Sequence, residues 1–79
     1  MEYYIIVYKN THDAMDGEKK LIENEFKFRI MPTPTSITQS CGICARFDEK
    51  KSIEKVITEQ IVNYKNIYCR NSEGFILIK

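Results

Sequence analysis

Residues 3–8, Tyr-Tyr-Ile-Ile-Val-Tyr, are an unbroken apolar and β-branched run of strand length. A run with no polar alternation predicts a central strand covered on both faces. The spacing then changes. Asn10, Thr11 and Asp13 give a helix-start signal, and residues 11–24 carry an inner stripe of Ala14, Gly17 and Leu21 with Met15 and Ile22 beside it. Gly17 costs about 1 kcal/mol of helix propensity relative to Ala, so the small pair Ala14 and Gly17 predicts a helix lying close against a sheet.

Residues 26–31 alternate: Phe26, Phe28 and Ile30 point one way, and Lys27, Arg29 and Met31 the other. That is the pattern of a half-buried strand. Pro32 is expected to end it, because proline cannot donate to a ladder. Residues 32–42, rich in Thr, Ser and Pro, read as a loop that is long for a small domain, and long loops are often functional. A third strand is expected over 43–47, with Ile43, Ala45 and Phe47 on one face and Cys44 and Arg46 on the other. Asp48 is expected to cap a second helix that reaches about Tyr64 through Ile53, Val56, Ile57 and Ile61. Residues 67–70 predict a fourth strand, 71–74 a turn and 75–78 a short return strand.

The element order β-α-β-β-α-β predicts an α+β fold of ferredoxin-like type. Two helices cover one face of an antiparallel sheet, the first and third strands are central neighbours, and an extra C-terminal strand is added. The uncovered face is expected to carry some of Tyr4, Ile6, Tyr8, Arg29, Cys44, Arg46 and Tyr68. It is either open or covered by a partner.

The 79 residues allow one domain, spanning 1–79. Such a domain buries only about 60–65% of its unfolded surface and has little room for a deep substrate pocket. The net charge of +1 argues against a typical nucleic-acid binder, and the third strand lacks the aromatic pattern of an RNA-binding sheet. No stretch approaches the ~20 apolar residues of a membrane span, and the N-terminus lacks the basic and apolar regions of a signal peptide. Three cysteines are too few for a secreted disulfide framework. A cytoplasmic protein is therefore expected.

The candidate chemistry centres on Ser40-Cys41-Gly42-Ile43-Cys44. Cys41 ends the long loop, and Gly42 places no side chain beside its sulfur. A thiol on a loop edge suits a nucleophile or a sulfur carrier, provided nearby cations favour the thiolate. Arg29 and Arg46, on the adjoining chain segments, are the candidates. The plainer reading makes Cys41 a small filler at a loop-to-strand junction. A Cys41–Cys44 redox pair is disfavoured, because residues three apart on a strand lie about 10 Å apart and a disulfide needs Cα atoms within about 7 Å. Cys44 and Cys69 are expected to be packed strand residues. A zinc site from the three cysteines and His12 is arithmetically available but lacks a second ligand pair, and no metal is expected.

Two stretches resemble a known pattern: residues 4–8 with Thr11-His12-Asp13-Ala14-Met15, and Phe28-Arg29-Ile30-Met31-Pro32-Thr33-Pro34 with Ser40-Cys41-Gly42 and Ala45-Arg46-Phe47. Together they resemble the family of small bacterial proteins described as putative selenium/sulfur carrier protein-like, over residues 3 to about 69. The resemblance implies that Cys41 is the carrier thiol, with Gly42 beside it and Arg29, Pro32, Pro34 and Arg46 on the motif's flanks. Cys41 would hold a persulfide or selenopersulfide, taken from a donor enzyme and passed to an acceptor protein by thiol exchange. No organic cofactor is needed, and the protein acts as a carrier more than an enzyme. The alternative is a small non-catalytic interaction or ligand-binding module, such as a homodimer through its open sheet face. A thiol oxidoreductase comes third.

Overall fold

The computed structural model describes residues 2–37 and 42–79. The elements run β1 (Tyr3–Val7), α1 (Thr11–Glu23), β2 (Arg29–Pro32), β3 (Ile43–Phe47), α2 (Lys50–Glu59), β4 (Asn66–Asn71) and β5 (Gly74–Leu77). The five strands form one sheet in the order β2-β3-β1-β4-β5, and every neighbouring pair is antiparallel. β1 lies at the centre beside β3, as its unbroken apolar run predicts.

Alternation along the strands divides the core in two. Tyr4, Ile6 and Tyr8 pack with Ala45, Phe47 and Ile67 against Ala14 and Leu21 of α1 and Ile53 and Val56 of α2. Both helices therefore cover the same face. Ile5, Val7 and Cys44 form a second cluster on the opposite face, with Tyr3, Met31, Tyr68 and Phe75 packed around it. This corrects the placing of Tyr4, Ile6 and Tyr8 among the candidates for the uncovered face, while Cys44, Tyr68, Arg29 and Arg46 do lie there. A run that is apolar at every position fits a sheet in either parity. In the structure the even positions face the helices, and Gly17 lets α1 lie directly on the Tyr8 ring on that side.

The helix ends explain the other departures. Asn10 caps α1, accepting a hydrogen bond from the Asp13 N–H at 2.8 Å. At the far end, Glu25 takes a left-handed φ of 59°, and its N–H donates to Ile22 O while that of Phe26 donates to Leu21 O. α2 closes in the same way: Gln60 has φ 50°, and the N–H groups of Gln60 and Ile61 donate to Ile57 O and Val56 O. These paired bonds are Schellman closures, which satisfy the last carbonyls and turn the chain away. The second helix therefore stops at Glu59 and not near Tyr64, with Ile61 and Tyr64 folded back against the core from outside the helix. Neither closure uses glycine at its left-handed position; Asn24 marks the end of α1, but nothing in the sequence marks the end of α2.

Asp48 does not cap α2. The residue at the cap position is Glu49, which makes no side-chain capping bond. The Asp48 carboxylate instead accepts from Arg46 Nε at 3.0 Å. β2 is shorter than the alternation suggested and includes Pro32, which pairs with Ile43 at the edge of the sheet. Phe26 and Phe28 precede the strand and pack their rings on Phe47.

Candidate functional site

The loop between β2 and β3 is tied at its base. The Thr33 N–H donates to Gly42 O at 3.0 Å, and Thr33 is buried. The Ile37 N–H then donates to Pro34 O at 3.1 Å, closing a turn. Ile37 is only 6% exposed and packs with Ile5, Val7 and Cys44. The first half of the loop therefore folds over the sheet face opposite the helices. Ile37, an apolar residue inside a polar loop, is the sequence signal for this docking.

Cys41, with Thr38, Gln39 and Ser40, lies outside the described residues. Its neighbour Gly42 is exposed, and a Cβ built there meets nothing within 4 Å. Gly42 also shows no left-handed φ. Among the described residues, then, no steric conflict requires a glycine here. Its carbonyl is what the structure uses, as the acceptor that closes the loop base.

Arg29 and Arg46 are brought together as directly opposed residues of β2 and β3. They sit at the end of this hairpin away from the loop base, with Arg46 about 13 Å along the strand from Gly42. Arg46 is the more constrained of the two. Its guanidinium lies 3.9 Å from the centre of the Tyr3 ring, while Nε is held by Asp48.

The other two cysteines face opposite ways. Cys44 is fully buried on the open-face side, opposite Val7. Cys69 is half-buried on the helix side, opposite Tyr4. The sheet separates them, so they do not form a common site. His12 is exposed at the start of α1, and the described residues hold no group of three His, Cys, Asp or Glu able to bind a metal. Burial, with smaller contributions from Cys69, Glu2 and Glu54 on the helix side, raises the Tyr4 pKa above its ordinary value.

Sequence reasoning missed a third arginine. Arg70 of β4 lies directly opposite Tyr3 and Phe75, with its guanidinium 5.1 Å from the Phe75 ring centre. Phe75 in turn meets Tyr3 and Tyr68 edge-on, at centroid distances of 6.3 and 6.5 Å. Arg29, Arg46 and Arg70 are all the arginines of the chain, and all three lie on the face opposite the helices. The alternation of Tyr68 and Arg70 was visible in the sequence. Their juxtaposition with Tyr3 was not, because it depends on the parity of β1.

The family model described as putative Se/S carrier protein-like matches residues 3–69. Neither the curated proteins nor the solved structures contain a significant match to the chain. No helix among the described residues is long and apolar enough to cross a membrane.

Proposed function

Because the chain belongs to the putative Se/S carrier protein-like family, we propose that it is a sulfur or selenium carrier working through Cys41. The observation that carries this reading is the family match itself, which spans the loop containing the Cys-Gly pair. The described ends of the loop are consistent with it: the Thr33 N–H donates to Gly42 O, and Ile37 packs on the sheet.

The chemistry is an exchange. The Cys41 thiolate attacks the outer sulfur of a persulfide on the donor enzyme. A new S–S bond forms on Cys41 and the donor's S–S bond breaks, releasing the donor cysteine as thiolate. Nothing is oxidised or reduced overall, and the terminal proton stays with the transferred sulfur. A terminal selenium moves in the same way. An acceptor nucleophile then takes the outer atom and Cys41 leaves as thiolate. Backbone N–H groups near the thiol are the candidate partners for that negative charge, because Arg29 and Arg46 sit at the far end of the hairpin from the loop base. No bound cofactor is required.

In this reading the β2-β3-β1-β4 portion of the sheet with its two helices is a ferredoxin-like arrangement, extended at one edge by β5. A carrier thiol also suits the cytoplasm, where thiols stay reduced.

The test is mass spectrometry of the chain after incubation with a cysteine desulfurase and its amino-acid substrate, using cysteine and then selenocysteine. The expected result is a gain of one sulfur or selenium on the peptide containing Cys41, lost in Cys41→Ser. Absence of the adduct, or an equal adduct in Cys41→Ser, overturns the reading.

A further inference from the structure

Beside Tyr3 the open face holds a hollow of about 470 Å³, lined by Tyr3, Pro34, Arg70, Asn71, Ser72 and Phe75. It is open on one side, shaped more for a strip of chain than for an enclosed small molecule. Two guanidiniums flank it: Arg46 over the Tyr3 ring, and Arg70 across from Tyr3 and over Phe75. A guanidinium laid on an aromatic ring is held in place, while its in-plane N–H donors stay free to meet a carboxylate in a forked pair. Arg46 has one such donor taken by Asp48. Arg70 has no carboxylate ion pair among the described residues. Arg29 adds a third positive charge directly opposite Arg46. Like charges opposed across two strands are unfavourable unless something offsets them. Among the described residues, Asp48 is the one carboxylate paired with either of them, and the Tyr3 ring lies against Arg46.

We propose that this hollow docks an acidic peptide segment of a partner protein, with its carboxylates on Arg70 and Arg46 and its chain lying across Tyr3 and Phe75. Charge complementarity selects this occupant. A second copy meeting the same face about a two-fold axis would set the arginines of one protomer against those of the other. A nucleic acid needs a longer basic track for its phosphates than a cluster at one end of the sheet of a chain with net charge +1. Pro34, in the first half of the candidate loop, forms part of the wall, so a bound partner would lie alongside that loop. The proposal does not depend on what Cys41 carries.

The experiment uses the full chain as Cys41→Ser, so that thiol chemistry plays no part. The ¹⁵N-labelled protein is titrated with a short peptide of alternating Glu and Ala, with its Gln-and-Ala counterpart, and with oligouridylate. The Glu peptide is expected to shift the Tyr3, Arg70 and Phe75 amide resonances saturably and to weaken at high salt. Arg70→Gln should reduce its affinity at least about tenfold, as loss of a charged partner does. Ser72→Asp, in the exposed turn, gives a second variant that should weaken binding without touching the sheet. Equal binding of the Gln peptide, tighter binding of oligouridylate, absence of saturable shifts, or Glu-peptide binding indifferent to both variants each overturn the proposal.

Discussion

Gly17 of α1 lies so close to Tyr8 that a Cβ added to the glycine would stand 2.7 Å from Tyr8 Cε1 and 2.8 Å from its hydroxyl oxygen. The Tyr8 ring is fully buried, so it has no open space to swing into. Helix propensity favours Ala over Gly by about 1 kcal/mol. Overpacking of a filled core costs about 1–3 kcal/mol. Gly17→Ala should therefore destabilise the protein despite its better propensity. Urea unfolding measures this directly, and a stabilised variant would show that α1 can lift from the sheet at little cost.

The loop anchor gives a second prediction. Ile37→Ala removes a buried side chain from contact with Ile5, Val7 and Cys44. The cost expected for such a truncation is about 2 kcal/mol, at the low end of the core range because a loop can partly collapse into the space. In a background lacking Cys41 and Cys69, the Cys44 thiol should also react faster with a bulky disulfide reagent. Unchanged reactivity would mean that the sheet itself, and not the loop, shields Cys44.

Asp48 distinguishes an ion pair from a cap. Its carboxylate bonds Arg46 but caps nothing, and it is 55% exposed. An exposed pair of this kind is worth about 0–1 kcal/mol, whereas loss of a helix cap costs typically about 1 kcal/mol. Asp48→Ala should have a small effect that vanishes when Arg46 is already Ala. A full-sized loss that persists in the Arg46→Ala background would restore Asp48 as the cap.

Tyr4 predicts alkaline behaviour. Burial first, then the neighbouring Cys69, Glu2 and Glu54, raise its pKa above 10.0 in the fold. Between the unfolded and folded pKa values the native state binds more protons, so stability falls as pH rises there. This contribution is fully present below about pH 10 and is lost as pH climbs through the folded value. Tyr4→Phe should leave stability near neutral pH little changed and flatten its decline above pH 10. Parallel declines in the two proteins would rule Tyr4 out as a source of the alkaline loss.

The sequence by itself determined much of the framework. The unbroken apolar run of β1 required a central strand, and strict alternation in β3 put Ile43, Ala45 and Phe47 on one side with Cys44 and Arg46 on the other. Asn10 set the start of α1, and the Cys-Gly pair marked the loop of interest. Each of these signals is local, because hydrophobic period and capping chemistry act over a few residues.

The tertiary structure decided the rest. Which face of β1 meets the helices could not be read from a run apolar at every position; it emerges only in the packed structure, where Gly17 seats α1 on Tyr8. That parity turns Tyr3 outward and so places it between Arg46 and Arg70, residues far apart in the chain. The ends of both helices likewise rest on left-handed Glu25 and Gln60, residues with no intrinsic preference for that conformation. Packing of Phe26 and Ile61 back onto the core accounts for them. The three arginines share a surface only because the strands pair in this order and register.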